Sequence, residues 1–220
     1  MLKGLIFDLD GVLTDSAAYH LQAWNDLAKS IGITLPPAAN DALRGRSRMD
    51  SLDLILAYGR QQTHYTLAQK QALAASKNTH YQALIKQMTP ADILPGIVPL
   101  LDAARAAGLQ LAIASASKNA PTILTQLGLM DRFAGIVDPD SLQHGKPDPE
   151  IFIKAAETLH LAADEVMSFE DASAGVAAIK AAHQFAVGIG DATVLAAADV
   201  VVPTTAALNF AALQQAFTAQ

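Results

Sequence analysis

The chain has 220 residues, 51% of them hydrophobic and 16% charged, which is enough to bury a large core in one domain with a sizeable insertion or a second small domain. Fifteen Lys and Arg against twenty-one Asp and Glu leave a formal charge of −6, so the broad basic field that drives nucleic-acid binding is absent and any basic group that matters must act locally. The absence of cysteine excludes a disulfide framework, a thiolate metal site and a thiol nucleophile, and leaves the chemistry to oxygen and nitrogen groups.

Residues 2–8 form a short apolar run that reads as a strand, and it closes on Asp8 and Asp10. In extended chain, residues i and i+2 point to the same side, so both carboxylates can project from the strand end while Gly11 lets the backbone turn away. Two carboxylates so close repel unless a cation or a shared proton intervenes. Residues 15–90 show no comparable strand. Segments 17–31, 38–43, 47–59 and 66–88 carry helical spacing, so an all-helical insertion is expected. Within it His20 and Trp24 lie four apart and share a helix face. Arg44, Arg46 and Arg48 surround Gly45 and Ser47, and Ser51 and Lys77 follow.

The turn at 94–96 marks the return to the α/β part, where 97–107 reads as a helix ending at Gly108. A second strand is expected at 109–114. Ser115, Ala116, Ser117, Lys118 and Asn119 then lead to a helix near Pro121, an arrangement suited to phosphate. In "HGKPDPE", Pro147 is expected to hold Lys146 extended. A strand at 165–169 precedes Glu170 and Asp171, and "ASAG" opens a helix; further strands are expected at 184–189 and 199–202. The alternation gives an α/β fold class, a Rossmann-like parallel sheet core flanked by helices with an inserted all-helical cap, bounded as 1–14 and 91–220 for the core and 15–90 for the cap. Each fragment also has a plain reading: an acidic pair as an exposed strand end or helix cap, a lone Lys as a solvated side chain, a His/Trp pair as packing. Together the two acidic pairs, at strand ends of one polarity, form an oxygen-rich set suited to a hard cation such as Mg²⁺. With no stretch near the ~18 apolar residues of a spanning helix and no secretory leader pattern, no membrane association is expected, and the cytoplasm is the expected compartment.

Taken in order, "FDLDGVLT", Ser115 after "LAIA", Lys146, and "FEDASAG" resemble the four motifs of the haloacid dehalogenase superfamily of aspartyl-phosphate phosphotransferases, and the resemblance covers the whole chain. It implies Asp8 as the nucleophile that becomes phosphorylated and Asp10 as general acid and base. Ser115 and Lys146 would hold the transferring phosphoryl group. Mg²⁺ would sit on Asp8, Glu170, Asp171 and the backbone carbonyl of Asp10. The helical insertion corresponds to the family's mobile cap. "TDSAAYHLQAWNDLAKSIGI", "LRGRSRMDSL" and "ASASKNAP" are similar to segments of the superfamily's sugar phosphomutases, apart from Ser16 where Thr is usual and Arg46 where an apolar residue stands.

That likeness implies an isomerase that interconverts β-glucose 1-phosphate and glucose 6-phosphate through an aspartyl-phosphate enzyme and a bisphosphate, and so a second phosphate site. Arg48 would be its main ligand, with Gly45, Arg46, Ser51 and Lys77 from the insertion and Ala116, Ser117, Lys118 and Asn119 from the core. His20 would reach toward Asp10 and the substrate, and Trp24 would border the sugar. The expected partners are small-molecule sugar phosphates, with no nucleic acid and no membrane, and the chain is expected to be a monomer. A phosphatase of the same fold needs one phosphate site and leaves Arg48 and Lys118 unexplained, and a non-enzymatic sensor does not need both Asp8 and Asp10.

Overall fold

Parallel strands buried on both faces need largely apolar runs, which the chain supplies in β1 (Gly4–Phe7), β2 (Gln110–Ile113), β4 (Val166–Glu170) and β5 (Phe185–Ile189), with the half-buried β3 (Gly135–Ile136) and β6 (Val200–Val202) completing the set. In the computed structural model, which describes residues 1–43 and 48–219, these form one parallel sheet in the order β3-β2-β1-β4-β5-β6. The strand order reverses at β1, which pairs with β2 on one side and β4 on the other. Open α/β sheets bind ligands beyond the carboxyl ends of the strands at such a switch point. The last register pair between β1 and β4 is Phe7↔Phe169, whose rings stack at 4.6 Å, so Asp8 and Glu170 emerge side by side one step further on.

The chain divides into two compact units, Met1–Asp15 with Met88–Gln220, and Ser16–Gln87. The first carries the sheet together with α5 (Ile97–Ala106), α6 (Ala120–Gln126), α7 (Glu150–Thr158), α8 (Ser173–Ala181) and α9 (Phe210–Thr218). The second holds α1 (Ala17–Ser30), α2 (Pro37–Leu43), α3 (Arg48–Tyr58) and α4 (Leu67–Ile85). Among the described residues no helix is long and apolar enough to cross a membrane.

The helical unit follows its sequence pattern. Trp24, Leu27 and Ala28, at three- and four-residue spacing, bury against Leu52, Ile55 and Leu56. A reciprocal cap starts α4: Thr66 Oγ1 accepts from Gln69 N at 3.3 Å, and Gln69 Oε1 accepts from Thr66 N at 2.8 Å. In the sheet unit, α5 ends as expected at Gly108, whose φ of +76° is left-handed.

One polar chain crosses the sheet core. Ser168 Oγ, wholly buried on β4, donates to Gln184 Oε1 at 2.6 Å, and Gln184 Nε2 donates to the carbonyl of Phe152 at 2.9 Å. The link ties β4 and the entry to β5 onto α7. Ser168→Ala would leave a buried amide oxygen without its donor, which costs about 1–3 kcal/mol. Its urea midpoint is therefore expected to fall with an unchanged slope. A midpoint equal to the wild type would show that the network contributes nothing to stability.

Candidate active site

Asp8 continues the ladder of β1, its N–H donating to the carbonyl of Phe169 at 3.0 Å, and its side chain is buried. The chain then curls: Leu9 O accepts from Leu13 N (2.9 Å) and Thr14 N (3.2 Å), and Gly11 N donates to Thr14 O at 2.7 Å. Asp10 therefore lies in a turn, paired in a bridge with Thr14, and not in the strand where alternation would have placed it. Burial of Leu9, Val12 and Leu13 drives the curl, because these apolar side chains all turn inward where an extended strand would expose one face. Gly11 has φ +75°, and a Cβ there would also overlap the carboxylate of Asp171.

Lys146 joins the two strand ends. Its Nζ donates to Asp8 Oδ1 at 2.8 Å and to Glu170 Oε1 at 2.6 Å, and lies 5.0 Å from the centre of the Phe152 ring. The Lys146–Pro147 peptide bond is cis. Glu170 turns its other oxygen to the N–H groups of Asp171 (2.8 Å) and Ala172 (3.0 Å). Gly175, in the first turn of α8, leaves room for that carboxylate, which a Cβ would overlap. Carboxylate oxygens of Asp8, Glu170 and Asp171 lie within 4.8 Å of one another.

The electrostatics of this group are unbalanced, with three carboxylates set against one ammonium. Burial pushes the Asp8 carboxyl up to about 7; Lys146 opposes that rise, and Glu170 and Asp10 add to it. Asp171 meets solvent at its outer edge, yet partial desolvation, then Glu170 and Asp8, push it also to about 7. Burial pulls Lys146 down, but Asp8 and Glu170 more than offset it and the ammonium is held above its usual value.

Ser115 follows β2 beside β1, where Ala114 N donates to Phe7 O at 2.8 Å, and its buried hydroxyl accepts from Ser117 N at 3.2 Å. Ser117 Oγ accepts from Asn119 N at 3.3 Å. Ala116 and Lys118 are exposed. Lys118 forms an ion pair with Asp140 beside a cavity of about 260 Å³ lined in part by Ser117, Pro121 and Val137. Asp140 carries no local signal, since it reaches Lys118 only through the loop after β3.

In the helical unit, His20, Trp24 and Lys77 meet. Lys77 is buried: its Nζ donates to His20 Nδ1 at 2.7 Å and stands 4.6 Å from the centre of the Trp24 ring and 5.1 Å from that of Tyr81. Tyr81 stacks on His20 at 3.7 Å and was missed in the sequence, although it lies one helical turn after Lys77. Burial, then Lys77 and Arg48, hold His20 down to about 4; burial, then Arg48, hold Lys77 down to about 8. A neutral His20 accepting at Nδ1 carries its proton on Nε2. Arg48 is exposed and donates through Nη2 to Asn78 Oδ1 at 2.9 Å, while Ser51 is buried within α3. Gly45 and Arg46 lie outside the described residues.

A lysine bridging two carboxylates at the switch-point strand ends, with a hydroxyl-bearing loop on the neighbouring strand, fits an enzyme of the phosphoryl-transfer class. The chain belongs to the haloacid dehalogenase-like hydrolase family, whose model matches residues 2–183. It is 45% identical over 214 residues to the β-phosphoglucomutase of Bacillus subtilis, covering 97% of this chain and 95% of that protein. The crystal structure of β-phosphoglucomutase from Clostridium difficile is similar with a TM-score of 0.84 at 41% identity, covering 100% of this chain and 98% of that one. A more distant relative, the validoxylamine A 7′-phosphate phosphatase of Streptomyces hygroscopicus subsp. limoneus, is 29% identical over 206 residues, 91% of this chain and 92% of that protein.

The depressed His20 makes a titration visible. Its folded value of about 4 lies below the usual 6.5, so the unfolded chain binds more protons between the two, and stability of the helical unit is lost as pH falls from about 6.5 toward 4. The His20 ring resonances are expected to stay those of neutral imidazole down to pH 5 (roughly one unit above the folded value) when followed by NMR. A midpoint near 6.5 would contradict the buried Lys77–His20 contact.

Proposed function

We infer that the protein is a β-phosphoglucomutase, an isomerase interconverting β-glucose 1-phosphate and glucose 6-phosphate. The observation that carries this reading is near-full-length similarity to mutases, at 45% and 41% identity, on a chain that keeps Asp8, Lys146 and Glu170 in one hydrogen-bonded group. The carboxylates of Asp8, Glu170 and Asp171, with the backbone carbonyl of Asp10, would hold Mg²⁺. The fit rests on the excess of carboxylate over ammonium and on the close approach of these oxygens, for which Gly11 and Gly175 leave space. When bound, the cation supplies positive charge that keeps Asp8 ionised and offsets the charge of the phosphoryl oxygens.

Asp8 attacks phosphorus, and the bond from phosphorus to the sugar oxygen breaks as Asp10 gives that oxygen a proton. In the return step Asp10 takes the proton of a sugar hydroxyl, which attacks the aspartyl phosphate and releases Asp8. Lys146 has three N–H groups; two go to Asp8 and Glu170, and the third, with the Ser115 hydroxyl, serves the phosphoryl oxygens. Ionised Asp8 carries the charge that Lys146 offsets, so the ammonium both orients the nucleophile and lowers the repulsion that an incoming phosphate meets. Arg48, exposed on α3, is the residue of the helical unit assigned to the phosphate that is not transferred. His20 and Trp24 border the sugar, and Lys77 fixes the tautomer of His20.

Incubation with Mg²⁺, β-glucose 1-phosphate and a trace of β-glucose 1,6-bisphosphate is expected to give glucose 6-phosphate; free phosphate as the product would overturn the mutase reading in favour of a phosphatase. Asp8→Asn is expected to abolish turnover, and Asp10→Asn to lower it by roughly 10²–10⁴-fold, the range of general acid–base groups. Near-normal turnover of either variant would remove that residue from its role. Arg48→Ala is expected to weaken sugar-phosphate binding by about 1.5–3 kcal/mol, as loss of a charge-assisted contact does, while acetyl phosphate still phosphorylates the protein. An unchanged KM and kcat for glucose 1-phosphate in this variant would contradict the second phosphate site.

A further inference from the structure

Lys146 sits on an irregular loop, yet its ammonium must hold a position set by two buried carboxylates. The loop's own side chains do not explain that placement, whereas the first turns of α7 do. Glu150, in the opening turn, turns Oε2 to two consecutive loop N–H groups, those of Gln143 at 2.8 Å and His144 at 3.0 Å. Its Oε1 meets Lys154 Nζ at 2.7 Å, and the same ammonium donates to the carbonyl of Ser141 at 2.5 Å. Asp148 Oδ1 accepts from Glu150 N at 3.0 Å, and Asp148 N donates to Gly145 O at 3.0 Å. Thus the backbone on the N-terminal side of Lys146 is fastened to the start of α7 at Ser141, Gln143, His144 and Gly145. Phe152, two residues after Glu150 and wholly buried, underlies the ammonium itself.

The same residues raise a second possibility, because ligand atoms of His144, Asp148 and Glu150 lie within 4.8 Å of one another. Both oxygens of Glu150 are already engaged, one by two N–H groups and the other by Lys154, so the cluster is organised around the loop and not around a cation. Lys154 first, then the N–H of His144, hold the Glu150 carboxyl down to about 2, and it is an acceptor at any working pH.

We propose that Glu150 is a positioning residue for Lys146: its carboxylate clamps the N–H groups of Gln143 and His144 to α7 and so fixes the loop from which the ammonium reaches Asp8 and Glu170. This rests on the reading of Lys146 as the group that holds the transferring phosphoryl. Small misplacements of such a group cost rate more than affinity. Because the distal phosphate is bound elsewhere, loosening the clamp lowers kcat and leaves KM nearly unchanged.

Two variants of similar size separate acceptor from bulk. Glu150→Gln keeps an oxygen that accepts from both N–H groups but gives up the charge, and Glu150→Met fills the space with no acceptor. With Mg²⁺, β-glucose 1-phosphate and a trace of β-glucose 1,6-bisphosphate at 25 °C, Glu150→Met is expected to lose kcat by ~10-fold or more with KM within ~2-fold, and Glu150→Gln to stay within ~3-fold of wild type. The amides of Gln143 and His144 are expected to exchange with solvent faster in the Met variant alone. Turnover of acetyl phosphate is followed in parallel, since Lys146 acts there without any sugar. A wild type that turns over acetyl phosphate but does not isomerise glucose 1-phosphate would sink the mutase reading, and the positioning role would be decided on acetyl phosphate. Wild-type kcat in Glu150→Met, equal losses in both variants, a loss confined to KM, or a Met variant unfolded at 25 °C would each overturn the positioning role.

Discussion

The contact on which the rest of the site depends is the Lys146 ammonium between Asp8 and Glu170, at 2.8 and 2.6 Å. Parallel pairing of β1 with β4 delivers two carboxylates to adjacent strand ends, and burial makes their repulsion expensive. The two acids cannot both stay ionised there without a cation; removing one partner of a buried ion pair leaves the other charge uncompensated. Yet Lys146 offsets only part of the charge. With Asp171 in the group the site is an acidic pocket in a family that handles anionic phosphates, a combination that makes sense once a further cation joins it.

The glycines follow from the same crowding. Gly11 and Gly175 stand where a single methyl would strike the carboxylates of Asp171 and Glu170. Close approach of backbone to charge is what lets three acids converge from two strand ends. The clamp on the Lys146 loop serves the other half of that geometry, because the lysine is the one member of the group that does not come from a strand end. The helical unit meets its own charge problem differently: Lys77 is stabilised by two aromatic rings and a neutral imidazole instead of a carboxylate. Arg48 on α3, by contrast, is exposed and donates to Asn78.

Much of this was legible in the sequence, for physical reasons that differ by element. Buried parallel strands must be apolar throughout, so β1, β2, β4, β5 and β6 stood out, whereas β3, two residues long, left no pattern to find. The helices of the insertion were marked by their 3.6-residue spacing, and the observed bounds 17–30, 37–43, 48–58 and 67–85 lie within a few residues of the expected ones. The acidic pairs and Lys146 were found as residues, and their roles came from the resemblance. Alternation misplaced Asp10 because it assumes extended chain, and three buried apolar residues bend the chain there instead. Lys77 was expected among the phosphate ligands of the insertion, and a lone charge gives no hint of the rings that cover it; Asp140 and Glu150 act through loops whose folding no local pattern encodes.

The central claim, that Asp8 is the nucleophile whose charge the whole group is arranged to manage, is tested most directly by locating covalent phosphate. The protein is incubated with β-glucose 1,6-bisphosphate and Mg²⁺, quenched in acid, and the phosphorylated peptide is mapped by mass spectrometry after reductive trapping of the acyl phosphate. The expected result is one phosphoryl group per protein before trapping, and after trapping a peptide with homoserine at position 8, since borohydride reduces the acyl carbon of phosphorylated Asp8 and expels the phosphate. Phosphate on Asp10, Ser115 or a histidine, or a protein that isomerises substrate while never becoming phosphorylated, would contradict it.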